Sequence, residues 1–313
     1  MLYRNFKVAL AVPCFNEEKA IRQVINDFRD AMPALDIYVF DNRSDDRTGE
    51  VAKAEGAKVI SVEAPGKGSV VRRMFADVDA DILVMVDGDA TYVAHTVTAM
   101  VDKLIDERLD MVVGCRSTPK DSIEAAYRPG HKFGNRLLTA SVKRIFGGAF
   151  SDMLSGYRVF SRRYVKSFPA SSQGFEIETE LTIHALELRM PWGESPVQYG
   201  ARPAGTESKL STYRDGWRIL RTIVHLYIAE RPLSFYSLCA FLIAALSIGI
   251  SVPVIMAYID TGLVERFPTA ILSASMMICA LLSLACGLVL DNVTRGRQEI
   301  KRMAYLAIPH PTS

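Results

Sequence analysis

The tripeptide Asp87-Gly88-Asp89 closes the apolar run Ile82-Leu83-Val84-Met85-Val86, so two carboxylates leave the end of a strand-like segment together. Oxygen ligands of that kind suit a hard divalent cation, which keeps open positions for substrate phosphates. The same three residues also make an ordinary solvated turn, and the tripeptide alone does not choose between the two. Other reactive residue types also follow short apolar runs: Pro13-Cys14-Phe15-Asn16-Glu17-Glu18, the stretch from Asp41 to Thr48, and Gly114-Cys115-Arg116. In Gly66-Lys67-Gly68 the flanking glycines would let a lysine approach a diphosphate with little backbone obstruction.

These residues need a scaffold that gathers strand ends. Apolar runs at residues 8–12, 37–40, 58–62, 82–86 and 111–114 read as strands, and amphipathic patterns near 17–31, 46–55, 69–78 and 96–107 read as the helices between them. Single helices between strands imply crossover connections, hence an α/β doubly wound, mostly parallel sheet whose ligands collect beyond the carboxyl ends of the strands. A further helix is expected over 176–189.

Bulk composition narrows the class. With 313 residues, 49% hydrophobic and 23% charged, the chain is neither disordered nor fibrous. A net charge of +2, from 37 basic and 35 acidic residues, gives no general nucleic-acid signal, so any basic surface must be local. The five scattered cysteines suggest neither a disulfide framework nor a zinc site.

Residues 233–259 and 267–290 contain no Asp, Glu, Lys, Arg or His. At about 1.5 Å per helical residue each run can cross a hydrocarbon layer of roughly 30 Å, so two transmembrane helices are expected, the first kinked at Pro253. Arg231 precedes the first run, and Arg295, Arg297, Lys301 and Arg302 follow the second, which places both termini in the cytoplasm by the positive-inside rule. The apolar stretch at 8–12 is too short for a signal peptide. The expected organisation is a cytoplasmic catalytic domain over 1–210, an interfacial amphipathic helix over 211–232, and a two-helix hairpin with a basic cytoplasmic tail over 233–313. The apolar side of residues 131–146, flanked by Lys132, Arg136, Lys143 and Arg144, reads as a second membrane-surface helix.

The ordered series of motifs is more specific than any member. Besides those above it includes Asp152-Met153-Leu154-Ser155-Gly156-Tyr157-Arg158, then Gly174-Phe175-Glu176-Ile177-Glu178-Thr179-Glu180, Arg202, and Ser208-Lys209-Leu210. Between about Ala9 and Pro232 this series resembles family 2 glycosyltransferases with the GT-A fold, and within them the polyprenyl-phosphate group that includes dolichol-phosphate mannose synthases and bacterial undecaprenyl-phosphate glucosyltransferases. The resemblance implies Mg2+ or Mn2+ on Asp87 and Asp89, and nucleotide-sugar contacts from Pro13, Glu17, Asp41, Lys67, Asp87, Arg202 and Lys209. It assigns Asp89, Asp152 and Arg116 to catalysis, and Arg116, His131, Lys132, Arg136 and Arg158 to the acceptor phosphate. It also implies a homo-oligomer, a tetramer in the bacterial branch, in the inner (plasma) membrane.

The implied activity is inverting transfer of a hexose from a nucleotide diphosphate, UDP-hexose favoured, to undecaprenyl phosphate. A GDP-mannose-dependent enzyme and a membrane-tethered nucleotide-binding pseudoenzyme remain alternatives. A phosphate monoester, with a second pKa of about 6, is already an anionic nucleophile at neutral pH, so Asp152 is expected to position groups more than to remove a proton. Asp41 could equally serve as a helix cap, Glu17 could complement a helix dipole, and Asp152 could be a turn residue. Neither tryptophan lies in a Gln-x-x-Arg-Trp motif of processive synthases, and the loop at 13–18 lacks the Gly-x-Gly-x-Arg of nucleotidyltransferases.

Overall fold

The computed structural model describes residues 1–117, 147, 150–170, 174, 176–200, 221, 224–225 and 227–310. They form two compact units, one of Met1–Leu220 with Ile300–Ser313 and one of Arg221–Glu299.

A seven-stranded sheet organises the first unit. Its strands are β1 (Val8–Cys14), β2 (Asp36–Asp41), β3 (Lys58–Ser61), β4 (Ile82–Met85), β5 (Met111–Ser117), β6 (Arg158–Ser161) and β7 (Trp192–Gln198), in the order β3-β2-β1-β4-β6-β5-β7. The pairs of β1 with β2 and β4, β2 with β3, and β5 with β7 are parallel. Only β6, wedged between β4 and β5, runs antiparallel. The sheet is thus mostly parallel, as the strand-helix alternation predicts, and strands β6 and β7 add to the five read from sequence.

Helices α1 (Ile21–Ala31), α2 (Thr48–Ala54), α3 (Lys67–Asp77) and α4 (Val97–Asp106) follow β1, β2, β3 and β4. Shorter α5 (Arg162–Ser167) follows β6, and α6 (Ile177–Glu187) precedes β7. In α1 the residues Ile21, Val24, Ile25 and Phe28 recur at helical spacing and are all buried, each removing enough apolar surface to contribute about 1.5–3 kcal/mol. Phe28 meets the Tyr157 ring edge-on at 5.7 Å, which ties α1 to the approach to β6. The central strand β4 is buried along its whole length, as a strand covered on both faces must be.

The second unit holds α7 (Pro232–Thr261) and most of α8 (Phe267–Leu306), two helices long and apolar enough to cross a membrane. Their large apolar side chains, among them Phe241, Leu242, Ile255, Leu281 and Leu288, are exposed, unlike those of a soluble core. Ser247 Oγ donates to the carbonyl of Ser273 at 2.6 Å, and Ser283 Oγ to that of Tyr236 at 3.2 Å. Pro253 lies inside α7 as expected.

Residues from Ile300 onward group with the head. Lys301 pairs with Glu187 at 2.8 Å, and Tyr305 donates to Asp110 at 2.7 Å.

Candidate active site

The loops beyond β1, β2 and β4 carry Asn16, Arg43 and Ala90 at positive φ (54°, 59° and 56°), conformations that non-glycine residues adopt at a cost of order 1–3 kcal/mol. These bends redirect the chain at the ends of three neighbouring strands. Two glycines make the approach possible. A Cβ at Gly88 would lie 2.7 Å from Cys14 Sγ, and one at Gly156 would lie 2.2 Å from Asp87 Oδ2. Gly88 therefore lets the Asp-Gly-Asp turn settle on the end of β1, and Gly156 lets the Asp152–Tyr157 corner touch Asp87.

Asp87 is part-exposed, and its Oδ1 accepts from Lys67 Nζ at 2.6 Å. The same ammonium lies 2.6 Å from Oε1 of Glu178, which is only 4% exposed. Burial works against the charged lysine, but the two carboxylates prevail and raise its pKa well above the ordinary value. Asp89, 5% exposed, accepts through Oδ1 from the hydroxyl of Thr91 at 2.6 Å and its N–H at 3.2 Å.

Lys67 is the first residue of α3, and the loop leading to it is fixed by the buried Asn42. Asn42 Nδ2 donates to the carbonyls of Val62 and Ala64, both at 2.8 Å, while its Oδ1 accepts from Gly66 N–H at 2.8 Å. Gly66 itself has φ 99°, which favours glycine there.

Beside this trio, Arg116 near the end of β5 forks onto Asp152, Nε to Oδ2 and Nη2 to Oδ1, each at 2.7 Å. Its guanidinium lies 5.5 Å from the centre of the Tyr199 ring. Burial alone would raise the Asp152 carboxyl, but the hydrogen bonds and charge of Arg116 hold it below the ordinary aspartate value. A carboxylate so stabilised is a weak proton acceptor and a firm anchor for a guanidinium. Tyr92 holds the Asp152–Tyr157 corner: its hydroxyl accepts from Gly156 N–H at 3.1 Å and lies 3.3 Å from Ser155 Oγ.

The structure thus brings together Asp87, Asp89, Lys67, Arg116 and Asp152. Pro13 lies next to them, its carbonyl 3.4 Å from where a Gly88 Cβ would stand. Asp41 sits at the end of β2 with Oδ1 accepting from Ser44 N–H at 3.1 Å, a local turn contact. Glu17 donates its N–H to Thr48 Oγ1 at 2.8 Å, and the neighbouring Glu18 accepts from Arg47 N–H at 3.2 Å, joining the first two loops. Arg202, Lys209, His131, Lys132 and Arg136 lie outside the described residues, as does the expected surface helix over 131–146.

Arg158 is placed otherwise than the motif suggests. It is fully buried, and its guanidinium donates to the carbonyls of Ser155, Met153 and Glu178, to Thr182 Oγ1, and to Met111 Sδ. Those five contacts match its five N–H groups, so in this conformation it braces the corner against α6 and presents no donor to a phosphate. Glu178, Asn42 and Tyr92 are site components without a separate sequence assignment. Glu178 lies inside the quoted 174–180 motif, as does Glu180, which is half-buried.

The donor set fits a divalent cation. Two strand-end carboxylates leave most of an octahedron to phosphate oxygens and water, and an ammonium already occupies the cation-seeking side of Asp87. Among the described residues no group of three His, Cys, Asp or Glu is placed to hold a metal ion.

Residues 9–168 match the profile of Glycosyl transferase family 2. The chain belongs to this family. Across 306 residues it is 31% identical to Glycosyltransferase AglJ of Haloferax volcanii, covering 96% of this chain and 98% of that protein. It is 29% identical over 224 residues to the dolichyl-phosphate hexose transferase of the same organism, covering 72% of this chain and 95% of its relative. A crystal structure of Mycobacterium tuberculosis glucosyl-3-phosphoglycerate synthase with Mn2+, uridine-diphosphate-glucose and phosphoglyceric acid superposes with a TM-score of 0.56 at 22% identity, covering 71% of this chain and 80% of that one. That likeness concerns the fold, and with the family match it identifies the head of this family 2 chain as GT-A-like.

Proposed function

We propose that this glycosyltransferase moves a hexose, with inversion, from a nucleotide diphosphate to polyprenyl phosphate, with UDP-hexose and undecaprenyl phosphate the favoured pair. The observation that carries the reading is the juxtaposition of Asp87, Asp89 and Lys67 with the Arg116–Asp152 pair in a chain that continues into two membrane-length helices. The named activity of the dolichyl-phosphate relative supports the acceptor class, and the Mn2+ and UDP-glucose in the structural neighbour support the donor chemistry.

In this scheme Asp87 and Asp89 would hold Mg2+ or Mn2+, and the bound cation would supply charge neutralisation for the leaving diphosphate. Lys67, at the amino end of α3, meets the same diphosphate with an ammonium where the helix dipole also favours anions. Arg116 faces the acceptor phosphate, and Asp152 fixes the plane of its guanidinium. The acceptor arrives as an anion, so no general base is required. Pro13, Glu17 and Asp41 line the nucleoside side of the crevice, while Arg202 and Lys209 add charge toward the phosphates. The boundaries at 210 and 232, the interfacial helix, a hairpin in the inner membrane with both termini cytoplasmic, and a tetrameric assembly complete the proposal.

Transfer is tested with the purified full-length protein, undecaprenyl phosphate, Mn2+, and radiolabelled UDP- and GDP-sugars in turn. Labelled lipid from a UDP-hexose is the expected result. Label from GDP-mannose alone would reassign the donor, and no labelled lipid from any donor would overturn the reading.

A further inference from the structure

Glu178 holds a carboxylate where the transfer scheme has not assigned one. It is the second residue of α6, a position whose helix dipole favours the anion, and its carbonyl is held by Arg158 Nη2 at 3.0 Å. One carboxylate oxygen meets Lys67, while the other, Oε2, is buried without a hydrogen-bond partner among the described residues. Such an oxygen is costly unless something supplies a donor to it in another state of the protein.

The neighbouring lysine can supply that donor. As found, the Lys67 ammonium bridges Asp87 Oδ1 and Glu178 Oε1, so it contacts a carboxylate needed by the divalent cation in the proposed reaction. Withdrawal from Asp87 toward Glu178 would exchange Asp87 Oδ1 for Glu178 Oε2 and keep the number of carboxylate acceptors constant. The ammonium would retain a buried counter-ion throughout, avoiding the penalty of an unpaired charge. Resting on the metal-assisted reading above, we propose that Glu178 is a positioning residue, the standing counter-ion that lets Lys67 leave Asp87 for the donor diphosphate when a divalent cation takes Asp87.

Loss of the Glu178 charge should then bind Lys67 more firmly to Asp87 and weaken cation binding. The same loss also removes negative potential near the cation, so a single variant does not separate the two routes. A double-mutant cycle does. Mn2+ binding to the metal-stripped, full-length protein with saturating UDP is measured by electron paramagnetic resonance for the wild type, Glu178→Gln, Lys67→Met and the double variant. Glu178→Gln is expected to weaken Mn2+ binding about tenfold in the wild-type background and less than about twofold beside Lys67→Met. An equal weakening in both backgrounds would show direct electrostatics and overturn the proposal, as would unchanged binding in Glu178→Gln. Wild-type protein that binds no Mn2+ with UDP would overturn the metal reading itself and this inference with it. If Glu178→Gln does not fold, Glu178→Asp carries the measurement, since it keeps the charge but loses the reach to Lys67, and a smaller weakening that vanishes beside Lys67→Met is expected.

Discussion

Both ends of the sheet bury ionic groups, but they do so with opposite accounting of partners. At the amino end, before β5, Asp110 is completely buried; Oδ1 accepts from Ser161 Oγ and Arg163 Nε at 2.6 Å, and Oδ2 from Arg163 Nη2 at 2.8 Å and Tyr305 at 2.7 Å. At the carboxyl end, beyond β4, one ammonium serves two carboxylates, and an oxygen of Glu178 has no hydrogen-bond partner among the described residues. A saturated network rigidifies, whereas one with surplus negative charge and an unmet acceptor is poised to take a cation. The contrast between a brace and a site lies in satisfaction, since both ends are buried and both are charged.

The largest expected effect strikes the brace. Arg163→Met leaves Asp110 buried beside two neutral donors and should destabilise the head by about 3 kcal/mol, read as a lowered midpoint in denaturant, with transfer per folded molecule unchanged. The complementary change at the other end, Asp89→Asn, should reduce transfer by about a hundredfold or more while the unfolding midpoint stays near that of the wild type. Equal transfer by that variant would remove Asp89 from the chemistry and dissolve the contrast. The finest distinction is in pH. Because Arg116 holds Asp152 below its ordinary value of 3.8, the pair's contribution is fully present above that value and fades as pH falls through the lower folded-state pKa. Asp152→Asn should therefore flatten the fall of Tm between about pH 5 and pH 2, whereas a steepened fall would contradict the pairing.

The grouping of side chains at the carboxyl end of the sheet was partly legible in the sequence, because strand-end position and residue type travel together in a parallel sheet. Asp87, Lys67 and Arg116 each follow or open a recognisable element, and the structure gathers them. The brace was not legible, since Asp110, Arg163 and Tyr305 carry no motif and meet only through tertiary packing. Two strands escaped for a related reason. Strand β7 reads Trp-Gly-Glu-Ser-Pro-Val-Gln, with proline and glycine in the polar stretch of an edge strand, and so lacks alternation. Strand β6 is four residues long, and its opening arginine is turned into the core. That same arginine misled the phosphate assignment: in sequence a charged residue beside a glycine corner looks available, and only burial shows that its donors are engaged. Glu178 reaches Lys67 across 111 residues, a separation that leaves no periodic trace.

Tyr305 lies 195 residues from Asp110 along the chain, in the last turn of α8 and beyond the uncharged stretches of both long helices. A polypeptide emerging from the ribosome therefore presents a nearly finished head that still lacks this contact, and the lipophilic segments are translated before it can form. Completion of the fourfold hydrogen bonding of Asp110 is thus a late event in biogenesis, placed by chain order after synthesis of the two apolar stretches.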